Sequence, residues 1–379
     1  MKHVGLNMEQ VKINNRSSIL KYINDVGPVS RKDIAIATGL TPSAVTQICT
    51  ALIQDGLLKE LGTVDAASGA GRKKVLVDID YQCAYILTIN IESEETIIAV
   101  ADMKGDVVHY TEMETDTSIS AEDFLKQCAR KCRLVLVSES CSAITVKGIS
   151  VTVPGAIDAE RGVSLQAYGI WEKEVPVVQI LKNELGLDVF LDNNVNAFAT
   201  AELLYGVGRK YDNFLLVKWG PGVGSAIIID NSIYEGRHGR AAELGHYIVD
   251  LNGKKCSCGK TGCLETKVSY HALSQLMSFN QENFAESYES SPENIKKQID
   301  EVLTVFAMSI VNSITILAPN RVVLCGKLFR NEKIRQILIE KCMELDTRLA
   351  ESRILYTELS SKEDFIGPVA VYVKEKVYS

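Results

Sequence analysis

The sequence predicts a mixed α/β protein with a small N-terminal helical domain and a larger body. The chain has 379 residues, which is too long for one ordinary hydrophobic core and suggests two or three domains. Within residues 1–80, three short helical segments are separated by glycine-containing turns. From about residue 82 onward, strand-like segments such as AYILTINI, TIIAVADM and FLLVKW alternate with helical ones, which is typical of α/β folds with mixed sheets.

Composition and charge narrow the class of protein. Hydrophobic residues make up 46% of the chain and charged residues 23%, and no apolar run reaches the roughly 18–20 residues that a membrane helix needs. The first residues lack the apolar segment of a signal peptide, so we expect a cytoplasmic protein without membrane partners. The net charge is −7, but residues 1–80 carry +2 and the remainder −9. This asymmetry favours a small nucleic-acid-binding module attached to a body with another task.

The N-terminal segment has the helix boundaries of a helix-turn-helix. Residues 12–27 predict an amphipathic helix, Ser30 and Gly39 bound a second helix, and Thr41 and Gly56 bound a third. Two strand-like segments follow, LLKELGTV and KKVLVDID, joined by the flexible and then basic segment DAASGAGRKK. A hairpin of this kind after three short helices predicts a winged helix-turn-helix over residues 1–80.

The head offers small polar and basic side chains to DNA. Because the second helix of the motif enters the major groove by its N-terminal end, we expect base contacts from Thr41, Ser43, Ala44, Thr46 and Gln47. Contacts to phosphates or to the minor groove are expected from the start of the preceding helix and from the wing: Ser30, Arg31, Lys32, Arg72, Lys73 and Lys74. The alternative is a small helical domain that makes oligomer contacts, with its charges merely solvated.

Three cysteines and one histidine have the spacing of a metal site. His246 is followed by Cys256, Cys258 and Cys263 in the pattern His-x9-Cys-x-Cys-x4-Cys. Three thiolates and one imidazole complete a tetrahedral zinc site of the structural type, with no position left for water. The alternative is a glycine-rich turn with free thiols. The other seven of the ten cysteines are expected to be ordinary reduced core or surface residues.

Two segments resemble a known family. The segment GPVSRKDIAIATGLTPSAVTQICTALIQDGLLKELG resembles the winged-helix head of sugar-responsive repressors, and ELGHYIVDLNGKKCSCGKTGCLE resembles the signature of the ROK family of repressors and kinases. The resemblance covers the whole chain and points to regulators of the xylose-repressor and N-acetylglucosamine-repressor types. It implies a two-lobed, actin-like (ribonuclease H-like) sugar-kinase body, with a first lobe over residues 81–195 and a second over residues 196–379.

The resemblance also implies a sugar pocket. The residues that match the family's pocket are Gly155, Asn193, Glu243, His246 and Glu265, beside the loop residues Pro154 and Gly169. His246 then serves twice, binding zinc by one ring nitrogen and a sugar hydroxyl by the other, so that the metal fixes the geometry of the pocket. For Glu243 and Glu265 the alternative is a solvated charge or a brace for the zinc loop.

The parts needed for phosphoryl transfer are changed. The family's kinases have Asn-Asp where this chain has Asn193-Asn194, and an amide cannot accept a proton as a general base. Their phosphate loop, Asp-x-Gly-Gly-Thr, is replaced by residues 90–94, NIESE, which lack the glycines and add two carboxylates. The late adenosine turn is reduced to LCGKLF, whereas the glycine loop GPGVGS remains. We therefore expect no kinase activity.

Together these features predict a sugar-responsive DNA-binding repressor of carbohydrate-utilisation genes, such as those of xylose metabolism. Its expected partners are operator DNA, a small sugar or sugar derivative, and further copies of the chain in a homodimer or homotetramer. One alternative is an ATP-dependent sugar kinase with a regulatory DNA-binding head. A second is a constitutive DNA-binding protein whose body only dimerises.

Overall fold

The head is a three-helix unit backed by an antiparallel sheet in the computed structural model, which describes residues 7–64, 74–236, 241–280 and 283–378. Its elements are α1 (Met8–Val26), β1 (Val29–Ser30), α2 (Arg31–Thr38), α3 (Pro42–Gln54), β2 (Leu58–Val64) and β3 (Lys74–Ile79). Both predicted N-caps form: the Asp33 amide donates to Ser30 Oγ, and the Ala44 amide donates to the Thr41 hydroxyl. The short strand β1, which the sequence did not indicate, extends the predicted hairpin in the order β1–β3–β2. Arg72 and Lys73 lie outside the described residues.

The first lobe of the body is a five-stranded sheet with helices on both faces. Its elements are β4 (Tyr85–Ile91), β5 (Glu95–Asp102), β6 (Val107–Glu114), α4 (Ala121–Leu136), β7 (Val146–Val153), β8 (Ala156–Asp158), β9 (Val163–Gln166), α5 (Val177–Leu185), β10 (Val189–Asn193) and α6 (Asn194–Tyr205). The strand order is β10–β7–β4–β5–β6, with β4, β5 and β6 antiparallel and β7 and β10 parallel to β4. Helices α4 and α5 cover one face through buried side chains such as Phe124 and Leu181.

The second lobe repeats the same topology. Its elements are β11 (Phe214–Trp219), β12 (Val223–Ile229), β13 (Ser232–Ile233), α7 (Glu265–Val268), α8 (Tyr270–Ser274), α9 (Phe284–Ser290), α10 (Glu293–Leu317), β14 (Arg321–Cys325), α11 (Glu332–Leu345), β15 (Ile354–Tyr356) and α12 (Glu363–Lys376). The order β13–β12–β11–β14–β15 has the same antiparallel and parallel pairs as the first sheet. The polar stretch near 278–294, expected to be a surface loop or a loosely packed helix, includes α9, whose Phe284 packs 5.9 Å from the buried Trp219 ring.

The last helix returns to the first lobe. Helix α12 packs on the face of the first sheet opposite α4, beside α6, and its Ile366, Val369 and Tyr372 join the core there. The expected division, which placed residues 196–379 in the second lobe, therefore does not describe the packing of α12. The physical reason is that the second face of the first sheet is apolar and needs a cover.

The head rests directly on the body. Asn24 at the end of α1 donates from its amide to the Leu204 carbonyl in the last turn of α6, and the Tyr81 hydroxyl donates to Asn24 Oδ1 at 2.9 Å. The Arg209 guanidinium donates to the Asp25 carbonyl. Helix α6 thus contacts the head at its C-terminal end.

One unbroken helix in the described part of the chain, α10, is long and apolar enough to cross a membrane, and a second segment qualifies only if the sharply bent pair α2–α3 is counted as one span. Half of the apolar stretch of α10 is buried inside the protein, as in a helix that packs against a core.

Candidate functional site

A cavity of about 500 Å³ lies between the two lobes. Strand ends and loops of the first sheet form one wall, and the glycine loop before β12 forms another. The five residues expected to bind a sugar all line it: Gly155, Asn193, Glu243, His246 and Glu265. The loop residues Pro154 and Gly169 line it as well. The volume is within the range of small-molecule sites.

Asn193 is positioned by the junction between β10 and α6. Its Oδ1 accepts from the amides of Val195 and Asn196 at 2.8 and 3.1 Å, so the side chain N-caps α6. Its Nδ2 donates to the Gly155 carbonyl at 2.7 Å. Gly155 has φ +85°, and a Cβ there would lie 2.3 Å from the Gln166 carbonyl oxygen, so only glycine fits. One amide hydrogen of Asn193 is left for a ligand.

Two carboxylates form the opposite wall. Glu265 Oε2 accepts from the Val223 amide at 3.0 Å. Burial raises the pKa of Glu265, against the effect of the Val223 hydrogen bond, and the neighbouring Glu243 carboxylate raises it further. A Cβ on Gly222 would lie 2.6 Å from Glu265 Oε2, so this glycine of the GPGVGS loop is explained by close packing on Glu265. Gly224 of the same loop is likewise explained by packing, because a Cβ there would lie 2.5 Å from the Val195 side chain.

The four expected metal ligands converge beside this wall. The ligand atoms of His246, Cys256, Cys258 and Cys263 all lie within 4.8 Å of one another, and such a cluster can hold a metal ion. His246 Nδ1 is 3.5 Å from Cys256 Sγ, and the Sγ atoms of Cys258 and Cys263 are 3.6 Å apart. His246 Nε2 faces the other way, 3.6 Å from Glu243 Oε2. The imidazole thus touches both the cluster and the cavity.

An aromatic side chain that the sequence did not indicate completes this corner. The Tyr168 ring lies edge-to-face on the His246 imidazole, with centroids 5.2 Å apart, and lines the cavity. Burial lowers the pKa of His246, and the nearby Lys260 lowers it further, so the ring is neutral at pH 7. A neutral imidazole is the form that binds a metal.

Another end of the cavity, beside the segment 90–94 that replaces the expected phosphate loop, carries paired charges. Glu92 Oε1 accepts from Lys218 Nζ at 2.6 Å and from Asn194 Nδ2 at 2.9 Å. Further out, Lys327 of the LCGKLF turn pairs with Glu95. Both pairs cross from the first lobe to the second. The two lysines were missed from the sequence, although a lysine inside the apolar strand FLLVKW is a signal that could have been read.

The predicted DNA-contacting residues fall into two groups. Ser43, Thr46 and Gln47 are exposed at the N-terminal half of α3, with Ala44 partly exposed between them. Others take part in contacts within the head. Ser30 is 4% exposed and serves as the N-cap of α2, and the Thr41 hydroxyl caps α3. Arg31 pairs with Glu60 at 2.8 Å, and Lys74 pairs with Asp33 at 3.2 Å. Lys32, in contrast, is exposed.

Known proteins share both parts of this architecture. Residues 14–59 match the winged helix-turn-helix DNA-binding family. The xylose repressor of Bacillus subtilis (strain 168) is 28% identical over 265 residues, which cover 69% of this chain and 67% of that protein. The dual regulator NagC of Escherichia coli (strain K12) is 25% identical over 362 residues, covering 89% of this chain and 86% of that protein.

Solved structures show the same fold. A ROK family transcriptional regulator, homologous to the E. coli Mlc protein, superposes with a TM-score of 0.80 at 24% identity and covers 97% of each chain. The ROK hexokinase of Thermus thermophilus superposes with a TM-score of 0.62 at 20% identity, covering 77% of this chain and 99% of that one. The predicted architecture, a winged helix-turn-helix followed by a two-lobed actin-like sugar-kinase body, is confirmed. Because residues 86–370 match the ROK family model, the chain belongs to the ROK family.

Proposed function

We propose that this protein is a sugar-responsive transcriptional repressor of carbohydrate-utilisation genes. The observation that carries the proposal is the combination of a DNA-binding head with a sugar-kinase-like cavity in which Asn194 and Glu92 stand where a kinase needs a base and a phosphate loop. A ROK family transcriptional regulator of known structure superposes over 97% of this chain and 97% of its own, so it shares both the head and the body. A regulator of this kind works in the cytoplasm, where its DNA is.

The head is proposed to read DNA through the exposed start of α3. Ser43, Ala44, Thr46 and Gln47 are placed to meet base edges, and Lys32 to meet a phosphate. Four other predicted residues already make contacts within the head: Arg31, Lys74, Ser30 and Thr41. They can contribute to DNA binding only if the DNA replaces those contacts or adds to them. Arg72 and Lys73 remain predicted wing contacts. The operator is expected to be two-fold symmetric and bound by a homodimer or homotetramer.

The cavity is proposed to bind a small sugar. Carboxylates such as Glu243 and Glu265 accept hydrogen bonds from vicinal hydroxyls, and His246 Nε2 and the remaining amide hydrogen of Asn193 can donate to them. The tight turn at Gly155 lets the backbone approach the ligand.

The metal of the cluster is proposed to be structural zinc. Two sulfurs bound to one tetrahedral zinc lie about 3.7 Å apart, and a sulfur and a nitrogen about 3.5 Å apart. The observed separations of 3.6 Å for Cys258–Cys263 and 3.5 Å for Cys256–His246 fit this geometry. Four protein ligands leave no open position, so the metal holds the loop and orients His246.

A kinase with a DNA-binding head is the competing function, because the body has the fold of sugar kinases. It requires a base near the sugar hydroxyl, and Asn194 instead donates its amide to Glu92. A coupled ADP-release assay across a panel of sugars separates the two. We expect no sugar-dependent ADP release, and turnover with any sugar would establish the kinase.

The central experiment measures the binding of DNA and sugar together. DNA fragments selected by the purified protein are labelled, and fluorescence anisotropy follows their binding while D-xylose, D-glucose or N-acetyl-D-glucosamine is added. We expect specific DNA binding that one sugar reverses. Specific binding that no carbohydrate changes would favour a constitutive DNA-binding protein, and absence of specific binding would contradict the proposal altogether.

A further inference from the structure

A partly buried ion pair lies at one end of the cavity. Glu92 follows β4 in the first lobe, and Lys218 lies on β11 in the second; their side chains are only 19% and 18% exposed. The Lys218 ammonium and the Asn194 amide both donate to Glu92 Oε1. All three side chains line the cavity. The pair is therefore part of the binding site.

We propose that Glu92 is a ligand-binding carboxylate, held in place by Lys218 and Asn194, which selects uncharged sugars and rejects phosphorylated ones. This inference rests on the proposed sugar-binding function and names the chemical class of the sugar. A carboxylate has about four acceptor positions, and the two donors occupy the Oε1 side. Because the Glu92 side chain lines the cavity, the remaining acceptor positions can take a hydroxyl donor, which an uncharged sugar carries and a phosphate ester at the same position lacks.

The charge inside the cavity supports the same selection. Among the described residues, three carboxylates line it, those of Glu92, Glu243 and Glu265, whereas the lysine among them, Lys218, already neutralises Glu92. Burial alone would lower the pKa of Lys218, but the carboxylates of Glu92 and Glu363 outweigh it and raise that pKa. The lysine therefore stays charged and paired. A phosphate group of charge about −1.5 to −2 placed here would lie beside these carboxylates, while the ammonium of Lys218 is already engaged by Glu92.

The other lysines of the cavity lie at its mouth. Lys254 and Lys255 are exposed in the loop before Cys256, and Lys254 donates to Gln275 Oε1 at 2.6 Å. Solvent screens their charges, so they do little to offset the inner carboxylates. Among the described residues of the cavity, these two lysines offer a route by which a phosphorylated ligand could bind, and the experiment below tests it.

The test uses the full-length protein and two matched variants. Isothermal titration calorimetry measures D-xylose, D-glucose, N-acetyl-D-glucosamine, the 6-phosphates of the two hexoses, and inorganic phosphate. Glu92→Gln keeps the shape of the side chain but removes its charge. Glu94→Gln makes the same change at an exposed position of the same turn. Melting temperatures confirm that each variant is folded.

We expect the wild type to bind a neutral sugar at least about 100-fold more tightly than any phosphate ester, because like charges at a binding site cost several kcal/mol. Glu92→Gln should reduce the affinity for the neutral sugar about tenfold, because one charge-assisted hydrogen bond is lost. It should also reduce the ratio between the affinities for the neutral sugar and for its 6-phosphate. Glu94→Gln should behave as the wild type.

Three results would overturn the inference. If a hexose 6-phosphate binds more tightly than its parent sugar and releases DNA, the selection is wrong while sugar-responsive repression stands. If Glu92→Gln binds every ligand as the wild type does, Glu92 is not a ligand-binding residue. If the protein binds DNA but binds neither the free sugars nor their phosphate esters, both the inference and the proposed sugar response fail.

Discussion

At the scale of single residues, the change from carboxylate to amide at position 194 alters what the cavity can do. An aspartate there would accept a proton, whereas Asn194 donates its amide to Glu92 at 2.9 Å. Glu92 in turn pairs with Lys218, and Lys218 lies near the buried carboxylate of Glu363. A short chain of charged and polar groups thus occupies the space between the lobes.

Substitution of one cysteine should remove the metal. Cys258→Ser deletes one of four ligands, so zinc content should fall from about one per chain to well below that, and the melting temperature should fall with it because metal bonds hold the loop. Metal analysis and thermal unfolding measure both quantities. Cys83→Ser, at a partly buried cysteine outside the cluster, is the control. Folded wild-type protein without zinc would contradict the assignment.

Glu363 should make stability depend on pH. Burial raises the pKa of this carboxyl to about 7, against the opposing effect of Lys218 and Arg330. Since the folded pKa lies above the unfolded one, the folded state holds the proton more tightly between about pH 4.5 and pH 7. The contribution of Glu363 to the free energy of unfolding is therefore fully present below the unfolded pKa and is lost as the pH rises through about 7.

Glu363→Gln should abolish this loss of stability at rising pH. Urea unfolding at pH 5 and pH 8 should show that the free energy of unfolding of the wild type falls, relative to the variant, as the pH rises. Glu358→Gln, at an exposed position nearby, should leave the difference unchanged. Parallel pH profiles for the wild type and Glu363→Gln would mean that this carboxyl does not titrate as described.

At the scale of elements, two helices relate sequence to function most directly. Helix α3 presents an exposed polar N-terminal half and a buried face of Val45, Cys49 and Leu52. Helix α6 begins at the cavity, where Asn193 caps it, and ends against Asn24 of the head. One element therefore contacts both the candidate sugar site and the DNA-binding domain.

The start of α3 should carry DNA specificity. Gln47→Ala should reduce affinity for the selected operator by about 1–3 kcal/mol and affinity for random DNA much less, because base contacts discriminate and phosphate contacts do not. Gln54→Ala, at the other end of the same helix, is the matched control. Anisotropy titrations with both DNAs measure the difference. Equal losses on the two DNAs would show that Gln47 does not read bases.

At the scale of the whole molecule, the ligand and the DNA are expected to compete through the arrangement of the lobes. The cavity has walls from both lobes, and the pairs Glu92–Lys218 and Glu95–Lys327 cross between them. A sugar changes DNA binding only if it favours one arrangement over another. In a dimer such a change alters the spacing of the two heads, and by linkage the operator must weaken sugar binding by the same factor.

Removing one cavity carboxylate should separate sensing from DNA binding. Glu243→Ala should bind the operator as the wild type does but should no longer release it when the sugar is added, which gives a permanently repressing variant. Glu160→Ala, an exposed glutamate of the first lobe, is the control. Anisotropy with and without the sugar distinguishes them. If Glu243→Ala still releases DNA with the same sugar concentration dependence, the cavity is not the sensor.

The sequence alone was sufficient wherever the signal is local. Helix caps at Ser30 and Thr41 and the spacing of the four candidate metal ligands depend on residues close together in the chain, so they can be predicted from the order of the residues. The alternation of strands and helices predicted the mixed α/β body for the same reason. The candidate pocket residues were proposed only through the resemblance to a family, and the structure places them around one cavity.

Tertiary structure decided what depends on residues far apart. Glu92 and Lys218 are separated by 126 positions, and nothing near either one indicates the other. The return of α12 to the first lobe and the hydrogen bond from Asn193 Nδ2 to the Gly155 carbonyl likewise follow from packing between distant segments. A charge that is removed from water is costly unless it is paired, and only the folded chain determines which charges meet.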